Sequence, residues 1–320
     1  MLSPEWLAAR SLQTGYQESA LEKVDRLLEL LVDIHRHPLL SRVLVLKGGT
    51  ALHLGFGNPR RLSVDLDFNY IGALERDAMQ REKPRLEEAL ARIVQAQGYQ
   101  AQWSRPAHAG RKCFLNYRSA SGAPDRIEVD LNFLHRQLLL PTTLQKLWSP
   151  DPEKSITARL ISLPELCAGK ICALLDRMMP RDLYDIACLS QIASEEWSSQ
   201  SFRPIIIALS GALPHPLYHY HRNRVQHLSN ELVQRQLHPL LIQSQEPTVE
   251  ELLETAWPLV EPFLQLTEQE REFVDCLQEG ELLPELLFPD DAAQAEKVRQ
   301  HPVLVWKAQN AARHRRGGND

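Results

Sequence analysis

The chain has 320 residues, 43% hydrophobic and 24% charged, which excludes disorder and allows two domains with a sizeable core in each. A formal charge of -5 excludes a polycation, so any nucleic-acid contact must come from a local basic patch. The five cysteines, at 113, 167, 172, 188 and 276, form no CxxC pair, which argues against a zinc site or disulfide framework and for a reducing compartment. The first residues, Met1 to Trp6, lack the basic start and apolar core of a secretion signal. No apolar run approaches the roughly 18 residues that mark a membrane span. A cytoplasmic protein with no membrane partner is expected.

In chain order, residues 16–36 carry Leu21, Val24, Leu27, Leu28, Leu31 and Ile34 at helical spacing, and Pro38 ends that helix. Val43 to Leu46 reads as a short buried strand, followed by the glycine turn Lys47-Gly48-Gly49-Thr50 and a short helix to Phe56. The Gly57-Asn58-Pro59 break precedes a strand over about 62–70, and a helix over 77–97 stops near Gly98. Strands at 112–118 and 126–134 flank a turn-like stretch at 119–124. Pro141, Pro150 and Pro152 mark an expected linker. Beyond it the pattern turns helical, with segments at 163–178, 181–195, 203–210, 222–243, 248–264, 267–278 and 291–314. The tail from Arg313 to Asp320, basic and then polar, is expected to fray. An α+β N-terminal domain over 1–155 thus precedes an all-helical C-terminal domain over 156–320.

The most informative segment is the strand at 62–70, where Leu62, Val64, Leu66 and Phe68 alternate with Ser63, Asp65, Asp67 and Asn69. Asp65 and Asp67 then lie on one face, where their mutual repulsion is relieved by a divalent cation such as Mg²⁺ or Mn²⁺. The strand at 126–134 repeats the alternation, and Asp130 joins the pair if the two strands are neighbours. Three carboxylates around metal suit nucleotidyl transfer from an NTP, with Asp130 as a general base for the attacking hydroxyl. Alternating polar residues that simply face water are the plain alternative.

The turn at Lys47, Gly48, Gly49 and Thr50 lacks Walker A spacing, but its backbone N–H groups would meet phosphate at a helix start. Further on, Ser162-Leu163-Pro164-Glu165 opens a helix carrying Lys170, and Asp182 and Asp185 share a face of the next one. Lys170 would neutralise a triphosphate, with Asp182 or Asp185 orienting it or an adjacent basic group; the acids equally suit the first turn of a helix. His215, His219, His221 and His227 sit among prolines and suggest no metal site. Arg222, Arg224, Lys307, Arg313, Arg315 and Arg316 suit either phosphate contacts or a solvated face.

Read together, Lys47 to Leu52, Arg61 to Asp67, Glu165 to Lys170 and Arg181 to Ile186 resemble the AbiEii/AbiGii toxin family, a distant branch of the DNA polymerase β superfamily. The motifs match in order over about 45–190, and Trp306-Lys307 also resembles the family. The resemblance implies a nucleotidyltransferase-like mixed β-sheet domain with a helical C-terminal domain, and toxin activity held in check by a cognate antitoxin. Some relatives transfer nucleotides from an NTP onto tRNA 3′ ends and so block translation in phage-defence settings. By motif position Asp65 and Asp67 take the metal role, Ser63 neighbours them, and Lys170 with Asp182 or Asp185 handles nucleotide. The superfamily's usual Gly-Ser turn is Gly48-Gly49 here, and fifteen residues separate Gly49 from Asp65. The alternatives are transfer to a protein or small molecule, or a nucleotide-binding module without turnover.

Overall fold

Leu44, Val45 and Leu46 emerge from a four-residue helix as the first strand, and the rest of the first half is arranged around them. The computed structural model describes residues 2–57, 59–193 and 202–317. Helices α1 (Pro4–Thr14), α2 (Glu18–Arg36) and α3 (Leu40–Val43) lead into β1 (Leu44–Lys47), α4 (Gly48–Gly55) and β2 (Asp65–Tyr70). Helix α5 (Arg76–Ala96), β3 (Gln100–Trp103), β4 (Gly110–Arg118), β5 (Pro124–Asn132), β6 (Thr143–Leu147) and β7 (Ile156–Leu160) follow. Among the described residues these strands form one seven-stranded mixed sheet in the order β3-β4-β5-β2-β1-β7-β6.

β1 runs antiparallel to β2, whereas β2 and β5 are parallel, so the two acidic strands are neighbours. One sheet face is apolar: Leu66, Phe68, Leu115, Val129 and Leu131 are wholly buried. Helix α2 presents Leu21, Val24, Leu27, Leu28 and Leu31, also wholly buried, and touches β5, β7 and α5. Burial of this kind contributes about 1.5–3 kcal/mol per large aliphatic side chain.

Residues 1–136, 142–161 and 234–246 form one compact unit; residues 137–141, 162–233 and 247–320 form a second. The return of 234–246 to the first unit is fixed by backbone bonds, Leu62 N to Leu240 O at 2.7 Å and Gln243 N to Gly15 O at 2.8 Å. The second unit is helical. It opens with α6 (Leu163–Arg177) and α7 (Pro180–Ile192), continues through Phe202–Ser210, Val249–Leu264, Glu268–Glu279, Ala292–Arg299 and Pro302–Gly317, and shares the helix Asn230–Gln236 with the first unit. This is the α+β architecture expected from the sequence.

Several local expectations change. The proline-marked stretch is not a linker, because β6 and β7 lie in it and β7 pairs in parallel with β1 through Leu46 and Leu160. Residues 62–64 run up to the acidic strand without belonging to it, since Leu62 bonds Leu240 instead of a strand. The helix expected over 222–243 is broken into a 3-10 turn at Arg222–His227, the helix Asn230–Gln236 and another 3-10 turn at His238–Leu240, where Pro239 removes a donor. The helix expected over 291–314 breaks before Pro302, which starts the next helix at a position where its missing N–H is not needed. Helix α1 and strand β3 were not anticipated; β3 is an exposed polar edge with no apolar alternation. The expected helix end at 194–195, Asn58 of the expected break and residues 318–320 of the tail lie outside the described residues. Among the described residues all five cysteines are free thiols, and no helix is long and apolar enough to cross a membrane.

Glu270 anchors the second unit. Its carboxylate accepts from Thr267 N at 2.8 Å in a capping box and pairs with Arg203 Nη2 at 2.7 Å. Burial pushes the carboxyl up, but the guanidinium and the Thr267 groups outweigh burial and hold it below its ordinary value. A depressed carboxyl stabilises the fold above its unfolded pKa and loses that contribution as pH falls through the lower folded value. Glu270→Gln should therefore flatten this part of the acid unfolding curve. Thr267→Ala should cost about 1 kcal/mol in urea denaturation at neutral pH.

Candidate active site

Strand register brings four charged residues into one lateral row. Lys47 of β1 is paired with Asp67 of β2, Asp67 with Asp130 of β5, and Asp130 with Lys112 of β4. The order across the four strands is cation, carboxylate, carboxylate, cation. Asp65 lies two residues along β2 on the same face, beside Glu128 of β5. All these side chains are partly exposed, while their neighbours Leu66, Val129 and Leu131 point into the core. Two aspartates in direct register repel. Burial and then Asp67 push the Asp130 carboxyl above its ordinary value, and Lys112 and Lys47 oppose that shift.

The glycine turn fits this row by close approach. Gly48 opens α4 with φ +74°, and a Cβ placed on it would lie 2.1 Å from Asp67 Oδ2. Only a residue without a side chain lets the helix start sit against that carboxylate. A Cβ on Gly49 would meet Ser63 Oγ at 2.7 Å and Arg61 Nη2 at 2.8 Å. Arg61 and Ser63 are themselves buried, so the segment before β2 is packed beneath the start of α4. Thr50 is fully buried, and its hydroxyl donates to the backbone carbonyl of Asp65 at 2.6 Å, tying helix to strand. Lys47, Gly48, Gly49, Thr50, Ser63, Asp65, Asp67 and Asp130 thus all belong to the first unit.

Lys112 and Glu128 were not foreseen as part of the site. Lys112 Nζ pairs with Glu128 and lies 3.4 Å from Asp130 Oδ2, holding both carboxylates from the β4 side. The signal was present in the strand expected at 112–118, where Lys112 opens a polar alternation, but only the β4–β5 register places it opposite Asp130.

Lys170, Asp182 and Asp185 belong to the second unit, where they form two separate ion pairs. Lys170 Nζ lies 2.6 Å from Asp185 Oδ2, both nearly or fully buried. Asp182 receives a two-pronged bond from Arg177, Nε to Oδ2 at 2.6 Å and Nη2 to Oδ1 at 2.7 Å. In the same unit Glu165 accepts from Leu139 N at 3.1 Å and Leu140 N at 3.0 Å. Lys307 donates to the Leu213 carbonyl at 2.7 Å, so its charge is spent on backbone.

Asp65, Asp67 and Asp130 supply oxygen donors only, the set that suits Mg²⁺ or Mn²⁺. Their repulsion is met within the row by Lys47 and Lys112 at its two ends. Among the described residues no three His, Cys, Asp or Glu side chains are yet gathered around a metal position. The donor chemistry fits a divalent ion, with Lys112 holding one member of the set.

The family model described as nucleotidyl transferase AbiEii toxin, type IV toxin–antitoxin system, matches residues 29–256. Among solved structures the chain is similar to MenT4, a nucleotidyltransferase toxin from Mycobacterium tuberculosis H37Rv, with TM-score 0.56 and 18% identity. That similarity covers 95% of this chain and 99% of that one, and at this identity it speaks for the fold. No curated protein sequence matches the chain.

Two substitutions probe the packing. Gly48→Ala forces a side chain into a left-handed backbone and onto Asp67, and should lower stability by about 1–3 kcal/mol. Lys170→Met strips buried Asp185 of its lysine and should cost about 3–5 kcal/mol, much of it recovered in Lys170→Met/Asp185→Asn. Urea denaturation of the three variants reads both effects.

Proposed function

The chain belongs to the AbiEii family of nucleotidyltransferase toxins of type IV toxin–antitoxin systems, and on that premise we propose that it transfers a nucleoside monophosphate from an NTP to an RNA hydroxyl. The acceptor in this reading is the tRNA 3′ end, the consequence is a block of translation, and a cognate antitoxin counters it. The observation that carries the reading is the lateral row Lys47, Asp67, Asp130 and Lys112, with Asp65 on the same face and the start of α4 against Asp67.

Asp65, Asp67 and Asp130 would hold Mg²⁺ or Mn²⁺. Such an ion offsets triphosphate charge and makes the attacking hydroxyl more acidic. The chain's own groups do the rest. Gly48 and Gly49 offer N–H groups at the start of α4, where anions are favoured, and Lys47 adds charge beside them. Thr50 acts from behind, fixing the Asp65 backbone. Ser63 stands under Gly49 and sets the height of the turn over the carboxylates. Asp130, partly exposed at the β5 side of the row, takes the proton of the acceptor hydroxyl. The nucleotide-handling roles of Lys170, Asp182 and Asp185 rest on their motif positions alone.

The test is incubation of the purified protein with α-labelled NTPs, Mg²⁺ and either tRNA or a cell extract. Label should track with RNA, vanish in Asp65→Ala, vanish with EDTA and return with excess Mg²⁺ or Mn²⁺. Label on protein or a small molecule would replace the RNA reading. A fully active Asp65→Ala protein would remove the carboxylate assignment.

A further inference from the structure

The face that carries Asp130 does not stop at the catalytic row. It continues across β5, β4 and β3, away from β2. Register places Glu128 beside Phe114 and Gln102, then Arg126 beside Asn116 and Gln100, then Pro124 beside Arg118. These residues share the side of the sheet on which Asp130 and Lys112 lie, because direct partners in a sheet point the same way. The opposite side carries the buried Cys113, Leu115, Ile127 and Val129. On the Asp130 side, Gln100, Gln102, Lys112, Arg118 and Arg126 are exposed, and Phe114 is half-buried.

Three properties of this face bear on its occupant. The first is charge. Lys112 is balanced by Glu128 and Asp130, but among the described residues no carboxylate pairs with Arg126 or with Arg118, whose exposed guanidinium donates to the Gly122 carbonyl at 2.9 Å. The second is a half-buried ring whose face a cation covers, so that a base stacks on it as the guanidinium moves to phosphate. The Arg126 guanidinium lies 5.1 Å from the Phe114 ring centre, with amide side chains of Asn116, Gln100 and Gln102 around it. The third is a concavity of about 600 Å³ at the far end, lined by Gln100, Asn116, Arg118 and Arg126 from this face and by Tyr117 and Asp125 from the opposite one. Arginines, an aromatic ring and amides on an open sheet are the chemistry that holds a single-stranded nucleic acid: rings stack bases, cations meet phosphates and amides bond base edges. The face is continuous with Asp130, which the reading above makes the group that activates the acceptor hydroxyl.

We propose that the exposed face of β3, β4 and β5 is the platform on which the single-stranded 3′ end of the acceptor RNA lies, with Phe114 stacking a base and Arg126 and Arg118 meeting phosphates. The terminal hydroxyl is thereby led along β5 to Asp130. This rests on the acceptor being RNA. None of Phe114, Arg118 and Arg126 belongs to the row that holds nucleotide.

The test measures binding of fluorescently labelled tRNA, intact or trimmed of its single-stranded 3′ nucleotides, together with binding of a fluorescent NTP analogue with Mg²⁺. Phe114→Ala should weaken intact tRNA binding by about tenfold, and Phe114→Trp should restore it. The exposed pair Arg118→Gln/Arg126→Gln should make the dependence of log K on log salt shallower by about 1.4, at about 0.7 per phosphate. Trimmed tRNA should bind wild type more weakly than intact tRNA binds Phe114→Ala, because the phosphate contacts go with the stacked base, and Phe114→Ala should weaken trimmed tRNA no further. NTP-analogue binding should stay at the wild-type level in every variant. If label is transferred to RNA but these variants bind and modify tRNA like wild type, the platform is overturned and the transferase reading stands. If wild type labels only protein or small molecules, the RNA reading itself fails and takes the platform with it. Should Phe114→Ala lose NTP binding through misfolding, the arginine pair, exposed and outside the core, decides alone.

Discussion

Two aspartates side by side on parallel strands constrain everything near them. Asp67 and Asp130 are in direct register on one face, so their backbones stand one strand spacing, roughly 4.8 Å, apart. At that range like charges in a partly desolvated site destabilise the sheet unless positive charge is supplied. The flanking strands supply it: Lys47 from β1 and Lys112 from β4 close the row at its two ends. A one-residue slip of either outer strand would turn its lysine to the apolar side and leave a carboxylate uncompensated. The electrostatics of the site and the register of the sheet are therefore one constraint.

The same carboxylate row explains the glycines. A helix start has unsatisfied N–H groups and a positive end, and it attracts both Asp67 and a phosphate. Bringing α4 near enough leaves no room for a Cβ at Gly48, and almost none at Gly49 above Ser63. Thr50 then uses its hydroxyl internally, on the Asp65 carbonyl. A turn that is weak evidence in isolation acquires its meaning from the strand it is pressed against.

The second unit solves a different problem. Lys170 with Asp185 is an ion pair taken out of water, and Asp182 is a buried carboxylate met by the more exposed Arg177, each pair joining a cation of α6 to an acid of α7. Such pairs contribute little net stability compared with apolar packing, but losing one member is costly. They hold α6 and α7 in a definite relation whatever else they do.

The amino-acid order alone determined the local chemistry: the period-two alternation of Asp65 and Asp67 and of Asp130, the glycine turn, the paired acids of α7, and a helical second half. These are legible because side-chain period and turn residues are properties of short segments. Three things were not legible. Strands β6 and β7 lie hidden in a proline-marked stretch because each is only five residues long, and the pair joins the sheet only through β7 and distant β1. Segment 234–246 reads as part of a long helix, yet its backbone bonds to Leu62 and Gly15 bring it back to the first unit. Lys112 looks like any surface lysine until antiparallel pairing sets it opposite Asp130. Register, and with it the neighbour of every charge, is decided by contacts between segments tens of residues apart, whose energies no local window contains.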